Sequence, residues 1–407
     1  LVGLAAAMLA VLALVHRHPW LAALATVASV LGSPLAGLFA GIAAAVVLLT
    51  DRSRRREALS VGITAAGSLG VLGLLFHDPG VMPSSFGLLF VALIGIALVL
   101  IACREPTIRV GAVLIAVGLV FCIFVPNSVG QNLTRMVWLL AAPLIVGYGH
   151  RPQKHVVVLA GLALVYPASD VSWQLAEADS PAAQGSYYQP LLTQLDQRMY
   201  TAGTVGQRVE VVEPMTKGGA WHIGEHIPVA RGWERQVDMA DNPIFYKQGA
   251  LTASSYHHWL KQLSVAYVAL PNANLDFASV DEAALIKGGL PYLAEVWHNE
   301  NWKLYRVLDS APLARHAQVI SVHGNQVRLQ VPKPGLVPIQ IRWSDHLVVL
   351  NGTQPVSLGV RAHGCLSQNG QWTLLHAHTP GSYVLTSDVD LLPSGPQGGG
   401  VCRSSES

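Results

Sequence analysis

Leu35-Ala-Gly-Leu-Phe-Ala-Gly-Ile-Ala-Ala-Ala-Val-Val-Leu-Leu-Thr50 carries no charge and stops on Asp51-Arg52-Ser53-Arg54-Arg55-Arg56. An apolar run ending in a block of arginines reads as a membrane segment whose basic flank stays in the cytoplasm. Further apolar runs lie at Leu1–Val15, Trp20–Leu31, Ala58–Phe76, Phe86–Cys103, Val110–Val125, Met136–Tyr148 and Val156–Tyr166. Several fall short of the roughly 20 residues that span a bilayer, so they are truncated, extend into polar flanks, or meet as half-helices. Trp20–Leu31 and Leu35–Thr50 are separated only by Gly32-Ser33-Pro34, which makes them either a tight hairpin or one kinked helix.

The composition agrees with a membrane class. Hydrophobic residues make up 51% of the 407 positions and charged residues 12%, about half the usual charged share. The formal charge is +2, with 26 basic and 24 acidic residues, so no overall field recruits nucleic acid. Charges are scarce up to Asp170, with 10 basic and 5 acidic residues, and denser afterwards, with 16 and 19.

Placing successive breaks on alternate sides, with Ser33-Pro34 as a hairpin, gives an orientation. One side receives Arg17, Arg52, Arg54, Arg55, Arg56, Arg104, Arg109, Arg151 and Lys154, and the other receives Arg135 alone. By the positive-inside rule the first side is cytoplasmic, and the chain after about Val171 is expected outside. Leu1–Val15 lacks a basic leader and a small-residue cleavage site, and is read as a truncated span rather than a signal peptide.

The expected domains are a transmembrane helical domain over 1–170 with about seven or eight spans, an extracytoplasmic α/β module over 171–312, a β-sandwich over 313–392 and a disordered Gly/Ser-rich tail over 393–407. In the module, Arg208–Val212 alternates at a strand period and Ala253–Leu263 has helical spacing. Val265–Leu270 is a buried strand, Val280–Lys287 a short helix ending at Gly288-Gly289, and Ala294–Trp297 with Trp302–Val307 a hairpin. From Ala317 the expected strands are Gln318–Val322, Gln326–Val331, Val337–Trp343, Leu347–Leu350, Trp372–His376 and Ser382–Thr386.

Four stretches carry a family likeness: Leu31-Gly-Ser-Pro-Leu-Ala-Gly-Leu-Phe39, Gly130-Gln-Asn-Leu-Thr-Arg135, Ala230-Arg-Gly-Trp-Glu-Arg-Gln236 with Asn242-Pro243, and Ile339-Gln-Ile-Arg-Trp-Ser344. With the order of parts, they resemble polytopic proteins of the GT-C glycosyltransferase superfamily, in its uncharacterised actinobacterial branch. The resemblance implies a polyprenyl-phosphate sugar donor, a cell-envelope glycan as acceptor, and a catalytic acid in a first outer loop that would precede Leu1. It implies no cofactor.

Arg135, beside Asn132, is the lone basic residue of the outer loops; its guanidinium either forks onto a lipid-linked phosphate or snorkels to headgroups. Arg231, Glu234, Arg235 and Asp238 surround Trp233, either as a sugar-binding surface or as an ion-pair knot. His222-Ile-Gly-Glu-His226 matches an inverted zinc-protease pattern, but the surrounding glycines and Pro228 argue against the helix that pattern needs, so no metal is assigned. His257 and His258 point too far apart on one helix to share an ion, and are read as surface or boundary residues. Trp343 is read as sandwich core. The sequons at Asn132 and Asn351 matter only in a cell that N-glycosylates.

Of the four cysteines, Cys103 and Cys122 fall at membrane segments, and Cys365 with Cys402 is the pair placed for a disulfide, the alternative being two free thiols. The leading functional reading is a GT-C-like membrane glycosyltransferase, or a non-catalytic relative, acting at the outer face of the cytoplasmic membrane. The alternatives are a transporter, disfavoured by the scarcity of ionisable residues within the spans, and a scaffold whose outer domains bind glycan or protein.

Overall fold

A computed structural model describes residues 1–76, 80–199, 204–351, 364–387 and Cys402. Eight apolar helices come first: α1 (Val2–Val15), α2 (Pro19–Gly32), α3 (Pro34–Thr50), α4 (Arg55–Leu75), α5 (Phe86–Ala102), α6 (Pro106–Phe124), α7 (Thr134–Tyr148) and α8 (Gln153–Ala178). Then follow α9 (Gly185–Met199), β1 (Arg208–Val211), α10 (Arg235–Asp241), α11 (Ala253–Gln262), β2 (Val265–Pro271), α12 (Val280–Lys287), β3 (Leu293–His298) and β4 (Trp302–Val307). The remainder is β: β5 (Gln318–His323), β6 (Gln326–Val331), β7 (Gly335–Arg342), β8 (Leu347–Asn351), β9 (Gly364–Asn369), β10 (Trp372–Ala377) and β11 (Gly381–Ser387). The chain divides into two compact units, Leu1–Ala176 with Glu234–Asp241, and Glu177–Trp233 with Asn242–Ser407.

In the first unit the helix starts follow local chemistry. Proline opens α2, α3 and α6, where its missing N–H costs nothing. Ser33 caps α3 by accepting from the Ala36 amide, and Ser85 caps α5 by accepting from the Leu88 amide. A Cβ on Gly37 would lie 2.2 Å from a Val30 methyl, so α2 and α3 fold back on each other as a hairpin and not as one kinked helix. Among the described residues, the helices Arg52–Leu75 (whose first turn is 3₁₀), Pro106–Phe124 and Gln153–Ala178 are long and apolar enough to cross a membrane, whereas Val2–Val15, Pro19–Gly32, Pro34–Thr50 and Phe86–Ala102 are apolar but shorter.

The expected domain boundary at 170/171 falls inside α8, which continues past Pro167 to Ala178. Two serine hydroxyls bond carbonyls in this stretch, Ser169 to Tyr166 at 2.8 Å and Ser172 to Ala168 at 2.7 Å. The buried positions of this unit are chiefly small: Ala7, Ala10, Ala13, Ala22, Ala40, Ala44, Ala58, Ala92 and Ala102. Large apolar side chains, among them Leu24, Ile63, Leu74 and Phe90, point outward.

The second unit contains a four-stranded sheet in the order β1-β2-β4-β3, with β1 and β2 parallel and the other pairs antiparallel. Every residue of β2 is buried, because helices cover both faces. One face packs Tyr187, Tyr188, Leu191 and Leu195 of α9 against Val209, Ala269 and Trp302, whose indole N–H donates to the Tyr187 carbonyl at 3.0 Å. The other packs Tyr256, Trp259 and Leu260 of α11 and Ile286 of α12 against Val212 and Val268. Thr252 and Ser255 form a capping box that starts α11.

The C-terminal strands form two sheets, β7-β10-β9 and β5-β6-β11-β8. Leu329, Val331, Val349 and Leu385 from one sheet share a core with Val337, Ile339, Leu366 and Leu375 from the other. Trp343 is half-buried against this core and donates its indole N–H to Asp345 at 3.2 Å. Cys365 and Cys402 are disulfide-bonded, with Cα atoms 5.0 Å apart, and the Cys402 amide donates to the Leu366 carbonyl at 2.8 Å. Cys103 and Cys122 are free thiols. The expected tail over 393–407, except Cys402, and the Asn351 sequon beyond its backbone lie outside the described residues.

Candidate functional site

Four arginine-bearing connections of the helical unit gather at one end. Arg54 donates to the Val15 carbonyl at 3.1 Å, joining the α3–α4 and α1–α2 connections. Thr107 donates to Thr50 at 3.3 Å, bringing the start of α6 to the end of α3. Arg109 reaches the carbonyls of Leu100 and Cys103, and Arg151 that of Ile101. The connections that carry Arg17, Arg52–Arg56, Arg104 and Arg151 are therefore neighbours.

The opposite ends of α5, α6 and α7 meet through a different set of bonds. The Met82 amide donates to the Asn127 carbonyl at 3.0 Å, while the Asn127 side chain accepts from the amides of Val129 and Gly130. Gly130 sits at φ +47 with Met82 so close that a Cβ would lie 2.2 Å from its carbonyl oxygen. Asn132, half-buried, follows in a 3₁₀ turn. Arg135 lies in the first turn of α7, exposed, with no partner among the described residues. A cation there faces the positive end of the helix dipole, which disfavours it.

The residues around Trp233 are divided between the two units, Arg231 and Trp233 in the second and Glu234, Arg235 and Asp238 in the first. Arg231 is 5% exposed, its guanidinium 3.3 Å from Glu282 and 3.7 Å from Glu210 and stacked 3.8 Å above the Phe245 ring. Tyr256 donates to the other Glu282 oxygen at 2.7 Å. Arg231 is thus withdrawn from the expected sugar surface, because a buried arginine between two carboxylates has no donor face left for solvent. Asp238 is also buried. Glu234 spends a carboxylate oxygen on the Val237 amide at 2.7 Å, capping α10, and Arg235 is half-buried at the start of that helix. Trp233 is 66% exposed. Glu234, Arg235 and Asp238 belong to the helical unit, where Gln236 donates to the Ser128 carbonyl at 2.8 Å. The likeness stretch that ends at Gln236 is thus tied to Ser128, two residues before the stretch Gly130–Arg135.

A carboxylate not singled out from sequence is strongly perturbed in the second unit. Glu213 is buried at the end of β1, and burial raises its pKa to about 7 against the pull of Lys217, the amides of Ala220 and Gly219, and Arg231. A Cβ on Gly219 would lie 3.0 Å from both Glu213 oxygens, so glycine at this position is what lets the loop close on the acid. The sequence signal was a glutamate at a strand end followed by paired glycines, which were read only as helix breakers.

His222 lies in a π-turn, Gly219–Ile223, and stacks on Tyr188 at 4.7 Å. Among the described residues no group of three or more His, Cys, Asp and Glu side chains is placed to hold a metal ion. His257 bonds Asp309 at 2.7 Å and stacks on Tyr292, while His258 is exposed. Lys261 and His257 together hold the Asp309 carboxyl down at about 2.

Residues 314–402 match a family described as a domain of unknown function, DUF8823. No curated protein and no solved structure matches the chain. The matched stretch begins at Ala314, which pairs with Ile339 of β7, and ends at Cys402, so it coincides with the two C-terminal sheets and their disulfide.

Proposed function

We propose that the chain is a multi-pass protein of the cytoplasmic membrane, a GT-C-like glycosyltransferase or a non-catalytic relative, handling a lipid-linked or cell-envelope glycan at the outer face. In this reading the helical unit spans the bilayer with its arginine-rich end in the cytoplasm. The α/β part is extracytoplasmic, and the C-terminal sheets form a β-sandwich. Small residues inside and large apolar residues outside suit helices that pack on one another in lipid, where close approach replaces the hydrophobic drive. The gathering of the basic connections at one end supports the orientation.

Arg135 carries the functional part of the proposal. It is an unpaired guanidinium at a helix start, opposed by the helix dipole and by the positive-inside trend, at the end where α10 is fastened. A phosphate on a membrane-borne lipid removes that penalty. The test is titration of undecaprenyl phosphate into the chain held in phosphatidylcholine nanodiscs. Saturable binding that disappears in Arg135→Ala supports the proposal, and equal binding by both proteins overturns it.

One observation favours transport instead. Glu57, in the first turn of α4, is buried and its Oε2 has no hydrogen-bond partner among the described residues. Buried ionisable groups among spans often mark ion paths, but Glu57 directly follows the arginine block at the end of a span, which leaves transport the second reading.

A further inference from the structure

Leu313, Ala314 and Arg315 run along the edge of β7: the Gln340 backbone amide donates to the Leu313 carbonyl at 2.8 Å, and the Arg315 backbone amide donates to that of Pro338 at 3.0 Å. Three residues after Arg315 the chain begins β5, in the other sheet. The switch is made at His316, in the left-handed region at φ +65. Glycine takes that conformation freely, and an L side chain there is strained. The sequence therefore keeps an imidazole where the backbone alone favours glycine.

The corner opens into a cleft of about 700 Å³, lined by Pro312, Arg315, His316, Gln318, Gln330 and Pro332 together with two alanines. Gln318 and Gln330 are direct cross-strand partners on β5 and β6, so their amides emerge side by side. Arg315, His316, Gln318 and Gln330 are all exposed, and among the described residues none of their side chains has a partner and no carboxylate lines the cleft. Proline rings offer flat apolar patches to the C–H faces of sugar rings, paired amides both donate to and accept from adjacent hydroxyls, and a guanidinium forks onto a carboxylate.

We infer that this corner binds an acidic saccharide, with Arg315 on its carboxylate, Gln318 and Gln330 on its hydroxyls and His316 closing the cleft. This deepens the glycan-handling part of the proposed function and is independent of membrane orientation and of Arg135.

The experiment is calorimetric titration of trigalacturonic acid, maltotriose and inorganic phosphate into the chain in nanodiscs, with thermal melting of each variant. Trigalacturonic acid should bind about ten-fold or more tightly than maltotriose, and Arg315→Ala and Arg315→Gln should erase that margin at unchanged melting temperature. His316→Gly should weaken binding while leaving the melting temperature equal or higher, because the left-handed corner suits glycine. Phosphate binding as tight as the trisaccharide, no saccharide binding, or binding unaffected by these substitutions would overturn the inference. None of those outcomes bears on undecaprenyl phosphate binding at Arg135.

Discussion

The side-chain amide of Gln236 donates to the backbone carbonyl of Ser128 at 2.8 Å, fastening a helix that follows β1 in sequence to the connection between α6 and α7. The residues that follow α8 thus return to the end of the helical unit that carries Arg135. If that end is the outer one, a cysteine introduced at exposed Gln248 should react with a membrane-impermeant maleimide in intact cells. One introduced at Arg56 should react only after permeabilisation. The reverse pattern would invert the orientation.

Arg135→Ala should lower undecaprenyl phosphate affinity by about ten-fold or more without changing the amount of protein in the membrane, while Arg135→Lys should recover part of it, since a lysine keeps the charge and loses the fork. Unchanged affinity in both variants would leave Arg135 as a headgroup anchor.

Removing Arg231 takes the guanidinium from beside two buried carboxylates, Glu210 and Glu282, the second of which keeps the Tyr256 hydroxyl. Arg231→Ala should destabilise the second unit by about 3–5 kcal/mol, read as a loss of melting temperature, whereas Trp233→Ala, at an exposed site, should shift stability by about 0.5 kcal/mol or less. A mild Arg231→Ala would mean that Glu210 and Glu282 find protons or other donors.

Glu213 gives the second unit a pH dependence of defined sign. Folding raises its pKa from 4.5 to about 7, so between those values the folded state holds a proton that the unfolded state has released. Stability is therefore fully retained below the lower value and falls as pH rises through the window, by about 3 kcal/mol at most. Glu213→Gln should flatten the melting-temperature profile between about pH 5 and about pH 8. A slope that survives the substitution must come from another group.

The Cys365–Cys402 bridge closes a separation of 37 residues, for which chain entropy gives a stabilisation of about 4 kcal/mol. A non-reducing tryptic digest should yield the two peptides linked, and Cys402→Ser should lower the melting temperature of the second unit. Full alkylation of both thiols without reductant would refute the bridge.

The elements legible in the sequence are those whose signal is local. The alternation of Arg208–Val212 and the helical spacing of Trp259, Leu260 and Leu263 became β1 and α11, and Pro34 after Ser33 marked the start of α3. α9 escaped because Pro190 interrupts a face that still carries Tyr187, Tyr188, Leu191 and Leu195. β9 escaped because Gly364-Cys-Leu-Ser-Gln-Asn369 has no β-branched residue and owes its place to pairing with β10. The candidate site was legible only as residue types. Nothing local distinguishes Arg231, which is buried against Glu282 51 positions away, from the half-buried Arg235.

The bond from Trp302 to the Tyr187 carbonyl spans 115 positions of chain. A ribosome adding roughly 5–20 residues per second takes about 6–23 seconds to cover that interval. Once α9 has cleared the ribosomal exit tunnel, its aromatic face waits for the rest of that interval without the indole that will cover it. Exposed apolar surface of this kind is aggregation-prone during folding, and a slowed codon between Tyr187 and Trp302 lengthens its exposure.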